Sequence, residues 1–469
     1  MPIYTESLSL LTDLYELTMA YGYWKRGFAS KEAVFHLFFR KKPFNGTFAI
    51  AAGLQSVLDY LKDFQYTPSD LSYLATLEGA DGQPLFETAF LDYLGALRFC
   101  CDIDAMPEGT PVFPLEPLIR VQGPIIQAQL LESLLLNVIN FQSLIATKAA
   151  RICYAAGTDP VVEFGLRRAQ GIDGALSASR GSYIGGATAT SNVLAGKLFG
   201  MPVKGTHAHS WIMTFEDEEE AFLTWAEVMP NNVIFLVDTY NSIEGTKKAI
   251  KVGKQLREKN IEMSGIRLDS GDLTYLSIEI RKLLDESGFE HVQIMASNEL
   301  DEYIIQDLKR QGAKINIWGV GTNLVTGKDQ PALDGVYKLS ALRDSPSDLW
   351  CYKIKISEQP IKITTPGILQ VRRFQGREGY TSDMIYDISN TCEEPQDLLI
   401  PVMRDGKVVY TSPPLDQIRA KTIRELSLFH PAIRRFLHPQ PYLVELESSL
   451  HDLKLSMIKE ATYESTSHR

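Results

Sequence analysis

Side chains able to bind or transform a ligand stand directly after short apolar stretches of this sequence. Four stretches end in this way, at an acid, a hydroxyl or a glycine-rich turn: 233–237 at Asp238, 264–268 at Asp269, 292–296 at Ser297, and 315–318 at Gly319. Carboxylates could hold ribose hydroxyls or hydrated magnesium, and glycines let backbone N–H groups turn toward a phosphate. The pattern predicts that the chemistry lies where these stretches end.

Helical segments separate the four stretches. Apolar residues recur at helical spacing over 242–259, 272–288 and 298–312, and a glycine closes each of the last two segments. The stretches themselves are near-continuous apolar runs, as expected for strands covered on both faces. Alternating strands and helices imply parallel strands with right-handed crossovers, and ligands of such folds bind at the carboxyl ends of the strands. We therefore predict an α/β barrel.

Arg267 and Asp269 are two residues apart on one predicted strand, so their side chains share a face. An arginine there could clamp a carboxylate or a phosphate through two hydrogen bonds. Since a charge at a strand end is costly without a partner, this favours a function for Arg267 over an internal salt bridge alone. For Asp272 the structural interpretation is favoured, because it stands where a helix N-cap is expected.

Gly319, Gly321 and Thr322 follow the last predicted strand. Late-strand loops are the usual phosphate site of such barrels. Taken alone, the loop fits an ordinary strand-to-loop turn slightly better than a phosphate site.

The segment 160–170 begins as a strand and ends in Phe164, Arg167 and Arg168. An aromatic face beside arginines suits a flat anionic ring. One core phenylalanine with two solvated arginines is the common alternative.

Two of the eight histidines, His207 and His209, lie in the segment 201–211, where a short strand would place Thr206 to Ser210 at its end. A His-x-His pair on a strand could bind a metal, but no third ligand is evident. One histidine could instead be a nucleophile or an acid–base group. Two histidines at one strand end, beside threonine and serine, favour a function.

The composition limits the possible partners and the compartment. A net charge of −11 argues against nucleic acid or an anionic membrane as the main partner. Five scattered cysteines without a C-x-x-C pair suit a reducing compartment. The N-terminus lacks the pattern of a signal peptide. A membrane span needs about 20 apolar residues, and we expect no apolar run close to that length. A cytoplasmic protein is therefore expected.

The chain of 469 residues is long enough for two or three domains. Prolines cluster in 102–127, which marks a boundary, and a long apolar helix is predicted over about 128–150. After about 345 the pattern changes to strand alternation at 350–357, and Asp405-Gly406 predicts a hairpin. The charged stretch 445–469 is expected to fray.

Six stretches resemble the nicotinate phosphoribosyltransferase family in sequence and in order: L-T-D-L-Y-E-L-T-M-A (11–20), E-F-G-L-R-R-A-Q-G (163–171), S-N-V-L-A-G (191–196), G-T-H-A-H-S-W (205–211), I-R-L-D-S-G-D-L (266–273) and W-G-V-G-T (318–322). The resemblance implies that nicotinate and phosphoribosyl pyrophosphate form nicotinate mononucleotide and pyrophosphate, the first step of NAD salvage from nicotinate. It also implies coupling to ATP hydrolysis, with magnesium carried by the pyrophosphate and not held directly by the protein.

The resemblance further implies a type II phosphoribosyltransferase fold: an irregular (β/α) barrel beside an α/β domain built from both chain ends. We place the α/β domain at 1–125, completed by part of 346–469, and the barrel at 126–345. The family's usual assembly is a homodimer with shared active sites.

By the same resemblance, His209 is the residue that ATP phosphorylates. Tyr15 and Phe164 would sandwich the pyridine ring, with Tyr15 reaching in from the partner subunit. The remaining roles are binding roles: Arg167, Arg267, Thr206 and Ser210 for the nicotinate carboxylate or nearby phosphates; Gly319, Gly321 and Thr322 for the 5-phosphate; Asp238 and Asp269 for ribose or magnesium pyrophosphate. His207 departs from the family's pattern and receives no role, and no motif is transferred to the C-terminal third.

Several residues disfavour other functions. Nicotinamide phosphoribosyltransferase would want an acceptor such as an aspartate in 187–192, which reads A-T-A-T-S-N. Quinolinate phosphoribosyltransferases are much shorter and more basic in their site, and type I enzymes carry two adjacent acids where Asp238 stands alone. A Schiff-base aldolase would have to use Lys204, inside its predicted strand. A catalytically dead nucleotide sensor is disfavoured by the intact His209 and Arg267.

Overall fold

The computed structural model describes residues 8–390, 394 and 396–467. The chain divides into two compact units. The first joins the N-terminal part, up to Leu144, to the C-terminal part, from Ala332. The second is the intervening segment Ile145–Pro331.

The described strands, in chain order, are β1 (Glu32–Phe39), β2 (Ala49–Ile50), β3 (Asp102–Ala105), β4 (Pro111–Val112), β5 (Ile119–Pro124), β6 (Val161–Glu163), β7 (Ala189–Thr190), β8 (Ile234–Leu236), β9 (Gly265–Leu268), β10 (Gln293–Ser297), β11 (Ile317–Val320), β12 (Gly335–Arg343), β13 (Cys351–Tyr352), β14 (Leu369–Gly376), β15 (Gly379–Asp387), β16 (Ile400–Arg404), β17 (Lys407–Val408) and β18 (Leu443–Leu446).

The helices are α1 (Leu14–Lys25), α2 (Leu54–Leu61), α3 (Pro68–Leu74), α4 (Thr88–Ala96), α5 (Ile125–Gln129), α6 (Glu132–Ala156), α7 (Ile172–Ile184), α8 (Val193–Phe199), α9 (His209–Met213), α10 (Glu218–Val228), α11 (Ser242–Glu258), α12 (Leu273–Glu286), α13 (Glu302–Arg310), α14 (Thr322–Val325), α15 (Leu415–Ser427) and α16 (Ser448–Ser467). Short 3₁₀ helices cover Pro43–Asn45, Leu166–Arg168, Pro360–Lys362 and Pro431–Arg434.

The first unit is built on an antiparallel seven-stranded sheet in the order β13-β12-β1-β5-β3-β16-β17. Strand β1 buries the successive residues Leu37, Phe38 and Phe39, whose side chains alternate between the two faces, so both faces of the sheet are covered there. The predicted hairpin is confirmed: Asp405 (φ 47) and Gly406 (φ 68) connect β16 to β17 with both residues in the left-handed region. A turn of this kind matches the twist of the two flanking strands.

The predicted domain boundaries differ from the division of the structure. The predicted start of the barrel domain, at 126, falls in α5, whereas the structure divides inside α6, after Leu144. Strand β12, which was counted with the barrel, pairs along its length with β1 in the sheet of the first unit. That pairing joins segments some 300 residues apart, so the local sequence pattern does not reveal it.

The second unit contains a six-stranded parallel sheet in the order β7-β6-β11-β10-β9-β8. The four strands predicted between 233 and 318 are confirmed as β8 to β11, each end shifted by at most two residues. Helices α11, α12 and α13 connect them in turn. The α/β class predicted from the alternation of strands and helices is therefore confirmed.

Local caps explain where these helices begin and end. The Asp272 carboxylate accepts a hydrogen bond from the Tyr275 N–H at 3.0 Å, so Asp272 is the N-cap of α12, as predicted. Leu273, Ile280 and Leu284 form its buried face. Gly288 then turns the chain with φ 77, a conformation that other residues rarely adopt.

Two of the predicted strands are wrong. In the predicted strand around 203–206, Val203 makes a single bridge, and the preceding Pro202 has no N–H to continue a ladder. The predicted strand 350–357 is reduced to β13, an edge strand. Of the stretch 445–469, which was expected to fray, Ser448–Ser467 form the helix α16, with Glu447 capping its first turn and Leu450 buried, and residues 468–469 lie outside the described residues.

The segment 203–207 connects the two outer strands of the parallel sheet. On one side, Val203 bridges Thr190 of β7, and the Lys204 N–H donates to the Thr190 carbonyl at 3.0 Å. On the other side, the Leu236 N–H of β8 donates to Nε2 of His207 at 3.3 Å. The His207 side chain thus accepts a hydrogen bond that a neighbouring strand would otherwise accept. The segment 203–207 thereby closes the sheet into an irregular barrel.

One stretch, Ile125–Ala156, is long and apolar enough to cross a membrane by length and composition, which corrects the expectation that no run comes near that length. Two thirds of its most apolar window (67%) is buried inside the structure. A core helix passes the same test, and the burial identifies it as one.

Candidate active site

The parallel register brings the reactive strand ends of the second unit to one edge of the sheet. Met295 of β10 is aligned with Arg267 of β9, and Ser297 with Gly319 of β11. On the other side of β11, Val320 is aligned with Glu163, the last residue of β6. Neighbouring strand ends therefore point their side chains into a common space, as predicted.

Arg267 is the centre of a hydrogen-bond network at this edge. Its Nε donates to Ser297 Oγ at 2.8 Å, its Nη1 to Thr206 Oγ1 at 3.2 Å, and its Nη2 to Asp269 Oδ1 at 3.1 Å. The side chain is 14% exposed. The guanidinium is therefore fixed in orientation, and part of it still faces the open space of the site.

Asp269 is held as an anion by its neighbours. Burial opposes its ionisation, but the hydroxyl of Ser297 and the guanidinium of Arg267 outweigh burial and keep the pKa of this carboxyl below its usual value. Ser297 donates a short hydrogen bond to Asp269 Oδ1. The other oxygen, Oδ2, lies 3.7 Å from Nε2 of His209.

Phe164 provides an aromatic surface beside Arg267. The Arg267 Cζ atom lies 5.4 Å from the centroid of the Phe164 ring. A Cβ atom on Gly319 would come within 2.8 Å of that ring, so a glycine is required for the ring to lie against β11. A planar ligand on Phe164 would have its edge near the guanidinium, which suits an aromatic carboxylate.

His209 is the first residue of α9, and its side chain is 40% exposed. Its Nδ1 lies 3.2 Å from Thr239 Oγ1, and its Nε2 faces Asp269. The ring is thus held from both sides, by a hydroxyl and by a carboxylate, at the edge of the open space. An oriented, accessible imidazole can accept a phosphoryl group.

His207, two residues earlier, has a different environment. It is 5% exposed, its ring packs edge-on against Trp225 at 4.9 Å, and its Nε2 accepts the Leu236 N–H. Burial lowers the pKa of His207 to about 4, so the ring is neutral at neutral pH. His207 is therefore a closing contact of the barrel, which gives a structural role to the histidine that the sequence left unassigned.

Asp238 joins the end of β8 to the turn after β9. Its Oδ2 accepts hydrogen bonds from the Asp269 N–H at 2.8 Å and the Ser270 hydroxyl at 2.6 Å. Its Oδ1 is buried and has no hydrogen-bond partner among the residues that the structure describes. A buried oxygen of this kind usually has a partner, so Asp238 Oδ1 is a natural acceptor for a ligand hydroxyl or for a water of a hydrated cation.

The glycine-rich turn after β11 lies directly beside this site. A Cβ on Gly321 would approach the Phe164 carbonyl oxygen to 3.2 Å, so Gly321 in the turn, like Gly319 within β11, allows close packing of the chain. Thr322 is exposed and begins α14. The geometry agrees with a phosphate-binding turn, which stays a prediction.

Among the described residues of the second unit, three other predicted site residues make no hydrogen bond to this network. Arg167 and Arg168 are exposed in the 3₁₀ helix Leu166–Arg168, and Ser210 is exposed in α9. Tyr15 belongs to the first unit, on α1, with its side chain 45% exposed.

No role was assigned from the sequence to Thr239, which follows a predicted strand, or to Glu163. Thr239 follows Asp238 and contacts His209, a pairing across 30 residues that no local pattern indicates. Glu163 is 1% exposed at the end of an apolar strand. A carboxylate in such a run is costly unless it is hydrogen-bonded, and that cost was a signal the sequence offered.

The described ranges (8–390, 394, 396–467) contain no group of three or more His, Cys, Asp or Glu side chains placed to hold a metal ion. The two histidines cannot act as a His-x-His pair, since Nε2 of His207 is bonded to the backbone of β8 while His209 lies beside Thr239 and Asp269. These contacts argue against the metal-binding interpretation of the pair.

At the strand ends of an α/β barrel, these features place an aromatic ring, a fixed guanidinium and two carboxylates beside a glycine-rich turn, an arrangement typical of an enzyme site for a small anionic ligand. Comparison with known proteins agrees. The model described as "Nicotinate phosphoribosyltransferase (NAPRTase) family" matches residues 160–374, and its N-terminal and C-terminal domain models match 10–140 and 386–454. The chain belongs to the nicotinate phosphoribosyltransferase family. The C-terminal match covers a region in which the sequence alone offered no transferable motif.

Full-length relatives support the assignment. The chain is 41% identical to nicotinate phosphoribosyltransferase of Bacillus subtilis, covering 97% of this chain and 96% of the relative. It is 38% identical to the Dictyostelium discoideum enzyme of the same name, over 96% and 88% of the two chains. The crystal structure of human nicotinic acid phosphoribosyltransferase superposes with a TM-score of 0.82 at 32% identity, covering 95% of this chain and 99% of the human one.

Proposed function

We propose that this protein transfers a phosphoribosyl group from phosphoribosyl pyrophosphate to nicotinate, giving nicotinate mononucleotide and pyrophosphate, as in NAD salvage from nicotinate. The observation that carries the proposal is the fixed guanidinium of Arg267 beside the ring of Phe164. This pair matches the two recognisable parts of nicotinate, a carboxylate and a flat aromatic ring.

The site residues divide the work of the transfer. Phe164 and Arg267 hold nicotinate so that its ring nitrogen lines up with C1 of the ribose. The N–C1 bond forms as the C1–O bond to pyrophosphate breaks, through a positively charged, oxocarbenium-like sugar. Asp238 and Asp269 are placed to hold ribose hydroxyls or the waters of magnesium pyrophosphate, and the turn Gly319–Thr322 would hold the 5-phosphate. Positioning and charge stabilisation then supply most of the rate.

The proposal includes coupling to ATP through phosphorylation of His209. Its ring is accessible and is oriented by Thr239 on one side and Asp269 on the other. Phosphorylation at this edge would add negative charge close to Arg267, and so change how the pyrophosphate site is held. Magnesium enters with the phosphate substrates, and the unpartnered Asp238 Oδ1 fits a water of that hydrated ion.

Nicotinamide phosphoribosyltransferase is the nearest rival, and substrate choice separates the two. With no acid in 187–192 and Arg267 at the ring, nicotinate should exceed nicotinamide by at least about 100-fold in kcat/KM, because an amide loses the charge-assisted contact. Pyrophosphate release with each substrate, with and without ATP, measures this.

Comparable efficiency on both substrates would contradict the assignment to nicotinate. Ligand binding without any pyrophosphate release would instead indicate a sensor that keeps the fold without the chemistry. Quinolinate serves as the control for carboxylate binding in general, and we expect no turnover of it.

We further propose a homodimer in which Tyr15 completes the site of the partner subunit. Leu14, Tyr15 and Met19 are all more than 40% exposed on α1, an apolar surface of the kind that a protein interface covers.

Complementation tests this arrangement. Tyr15→Ala and His209→Ala subunits, each inactive in ATP-coupled synthesis, should regain about a quarter of wild-type activity when mixed, because half of the random dimers then carry one intact site. The control is each variant taken through the same mixing procedure without the other variant. Mixtures that stay inactive although both proteins are folded would show that the two residues act within one chain.

We also propose a cytoplasmic location. Within the part of the chain that the structure describes, Cys100, Cys101 and Cys351 are thiols and form no disulfide, which suits a reducing compartment. The substrates of the proposed reaction are small, charged metabolites.

A further inference from the structure

Glu163 is a buried carboxylate on which three separate segments converge. Its Oε1 accepts a short hydrogen bond from the Gly165 N–H. Its Oε2 accepts from Ser179 Oγ of α7 at 2.8 Å and from Thr190 Oγ1 of β7 at 2.6 Å. Both hydroxyls are 1% exposed, so these contacts are closed to water. None of the roles assigned above uses this group.

The first consequence concerns Phe164, which lies between Glu163 and Gly165. The Phe164 N–H is bonded to the Val320 carbonyl at 2.8 Å, so the chain is fixed on both sides of the aromatic residue. A Cβ on Gly165 would come within 2.2 Å of Val325, which shows how tightly this turn is packed. The carboxylate of Glu163 therefore helps to set the plane of the ring on which the substrate stacks.

The second consequence concerns Asn192, in the segment 187–192, where a nicotinamide phosphoribosyltransferase would be expected to carry an acid. Its N–H donates to Thr190 Oγ1 at 2.9 Å, and its Nδ2 donates to Ser179 Oγ at 3.2 Å. These are the two hydroxyls that Glu163 holds. The remaining atom, Oδ1, accepts the Ala195 N–H at 3.2 Å and caps α8. Every polar atom of the Asn192 side chain is thus used inside the protein.

We propose that Glu163 is a positioning and specificity-determining residue for the pyridine substrate, an inference that rests on the proposed function. Through one carboxylate it fixes the aromatic surface of Phe164 and, through Ser179 and Thr190, the orientation of the Asn192 amide. An Asn192 oxygen committed to α8 is not free to receive the N–H of a carboxamide. Glu163 thereby favours a carboxylate substrate although it does not touch the substrate.

A carboxylate is the group that this position requires. Three donors meet its two oxygens, and an ionised carboxylate accepts at both without donating. In Glu163→Gln, one end of the amide becomes a donor and must face either the Gly165 N–H or the two hydroxyls. The hydroxyls then have to reorient, and Asn192 loses the contact that fixes it.

The decisive experiment measures kcat and KM for nicotinate and nicotinamide in Glu163→Gln and in the matched pair Thr190→Val and Thr190→Ser. We expect Glu163→Gln and Thr190→Val to raise KM for nicotinate about 10-fold, to change kcat less than about threefold, and to lower the preference over nicotinamide about 10-fold. Thr190→Ser keeps the hydroxyl and should behave as wild type.

Glu218→Gln is the control for loss of a buried carboxylate as such. Glu218 is 4% exposed in the same unit and pairs with Lys248 at 3.0 Å, so its loss affects stability but not KM. Folded Glu163→Gln with wild-type KM and preference would overturn the proposal, as would a fall in melting temperature alone. Thr190→Val decides the question if Glu163→Gln does not fold. Absence of nicotinate turnover in the wild type would refute the proposed function instead.

Discussion

We expect Arg267→Ala to lower kcat/KM for nicotinate by about 10³-fold, the largest loss from any binding residue of the site. The substitution removes the partner of the substrate carboxylate and leaves Asp269 without its guanidinium, and each effect is of the order of a charge-assisted hydrogen bond or more. Nicotinamide, which has no carboxylate, should lose much less. Steady-state kinetics with both substrates measures the difference.

Two further variants sharpen this test. Arg267→Lys keeps the charge but cannot reach Ser297, Thr206 and Asp269 together, so an intermediate loss is expected. Arg310→Ala removes an arginine that is 81% exposed in the same unit and should change nothing. Equal losses for nicotinate and nicotinamide would mean that Arg267 stabilises the strand ends and does not bind the carboxylate.

The strands that carry the site could be predicted from the sequence because their patterns are local. Apolar runs of strand length, separated by helices with clear caps, gave β8 to β11 within two residues. Parallel strands end at one edge of a sheet, so Arg267, Asp269 and Gly319 were expected to meet there. In the structure Arg267 donates hydrogen bonds to Asp269 and Ser297, and Gly319 is aligned with Ser297 on the neighbouring strand.

Contacts made by irregular segments could not be predicted in the same way. Thr206 lies 61 residues from Arg267, and Thr239 lies 30 residues from His209. Neither Thr206 nor His207 is in a regular strand, so no periodicity indicates where its side chain points. The same limit explains the expected strand at 203–206, which is a single bridge in the structure.

The first unit shows a second limit, which is chain topology. Strand β12 follows the barrel in sequence and was predicted to belong to it, yet it pairs with β1 near the N-terminus. An antiparallel pairing across about 300 residues depends on the fold as a whole and leaves no local mark. Motif resemblance placed both chain ends in one domain, but not the boundary itself.

The remaining prediction concerns which histidine couples the reaction to ATP. In His209→Ala we expect ATP hydrolysis and acid-labile protein phosphate to be abolished, since this ring is the accessible one, held between Thr239 and Asp269. Slow ATP-independent transfer should survive, because the sugar chemistry needs the ring and pyrophosphate sites but not the phosphorylated imidazole. Phosphate incorporation from labelled ATP and nicotinate mononucleotide formation without ATP measure the two parts.

His207→Ala is the matched control, two residues away in the same segment. His207 is buried, its Nε2 is occupied by the Leu236 N–H, and burial lowers its pKa to about 4. A phosphoryl group there would have to break the closing contact of the barrel and bury a charge beside Trp225, which is strongly unfavourable. We therefore expect His207→Ala to keep ATP coupling while losing roughly 2 kcal/mol of stability, seen as a lower melting temperature. Acid-labile phosphate that persists in His209→Ala and disappears in His207→Ala would reverse the assignment.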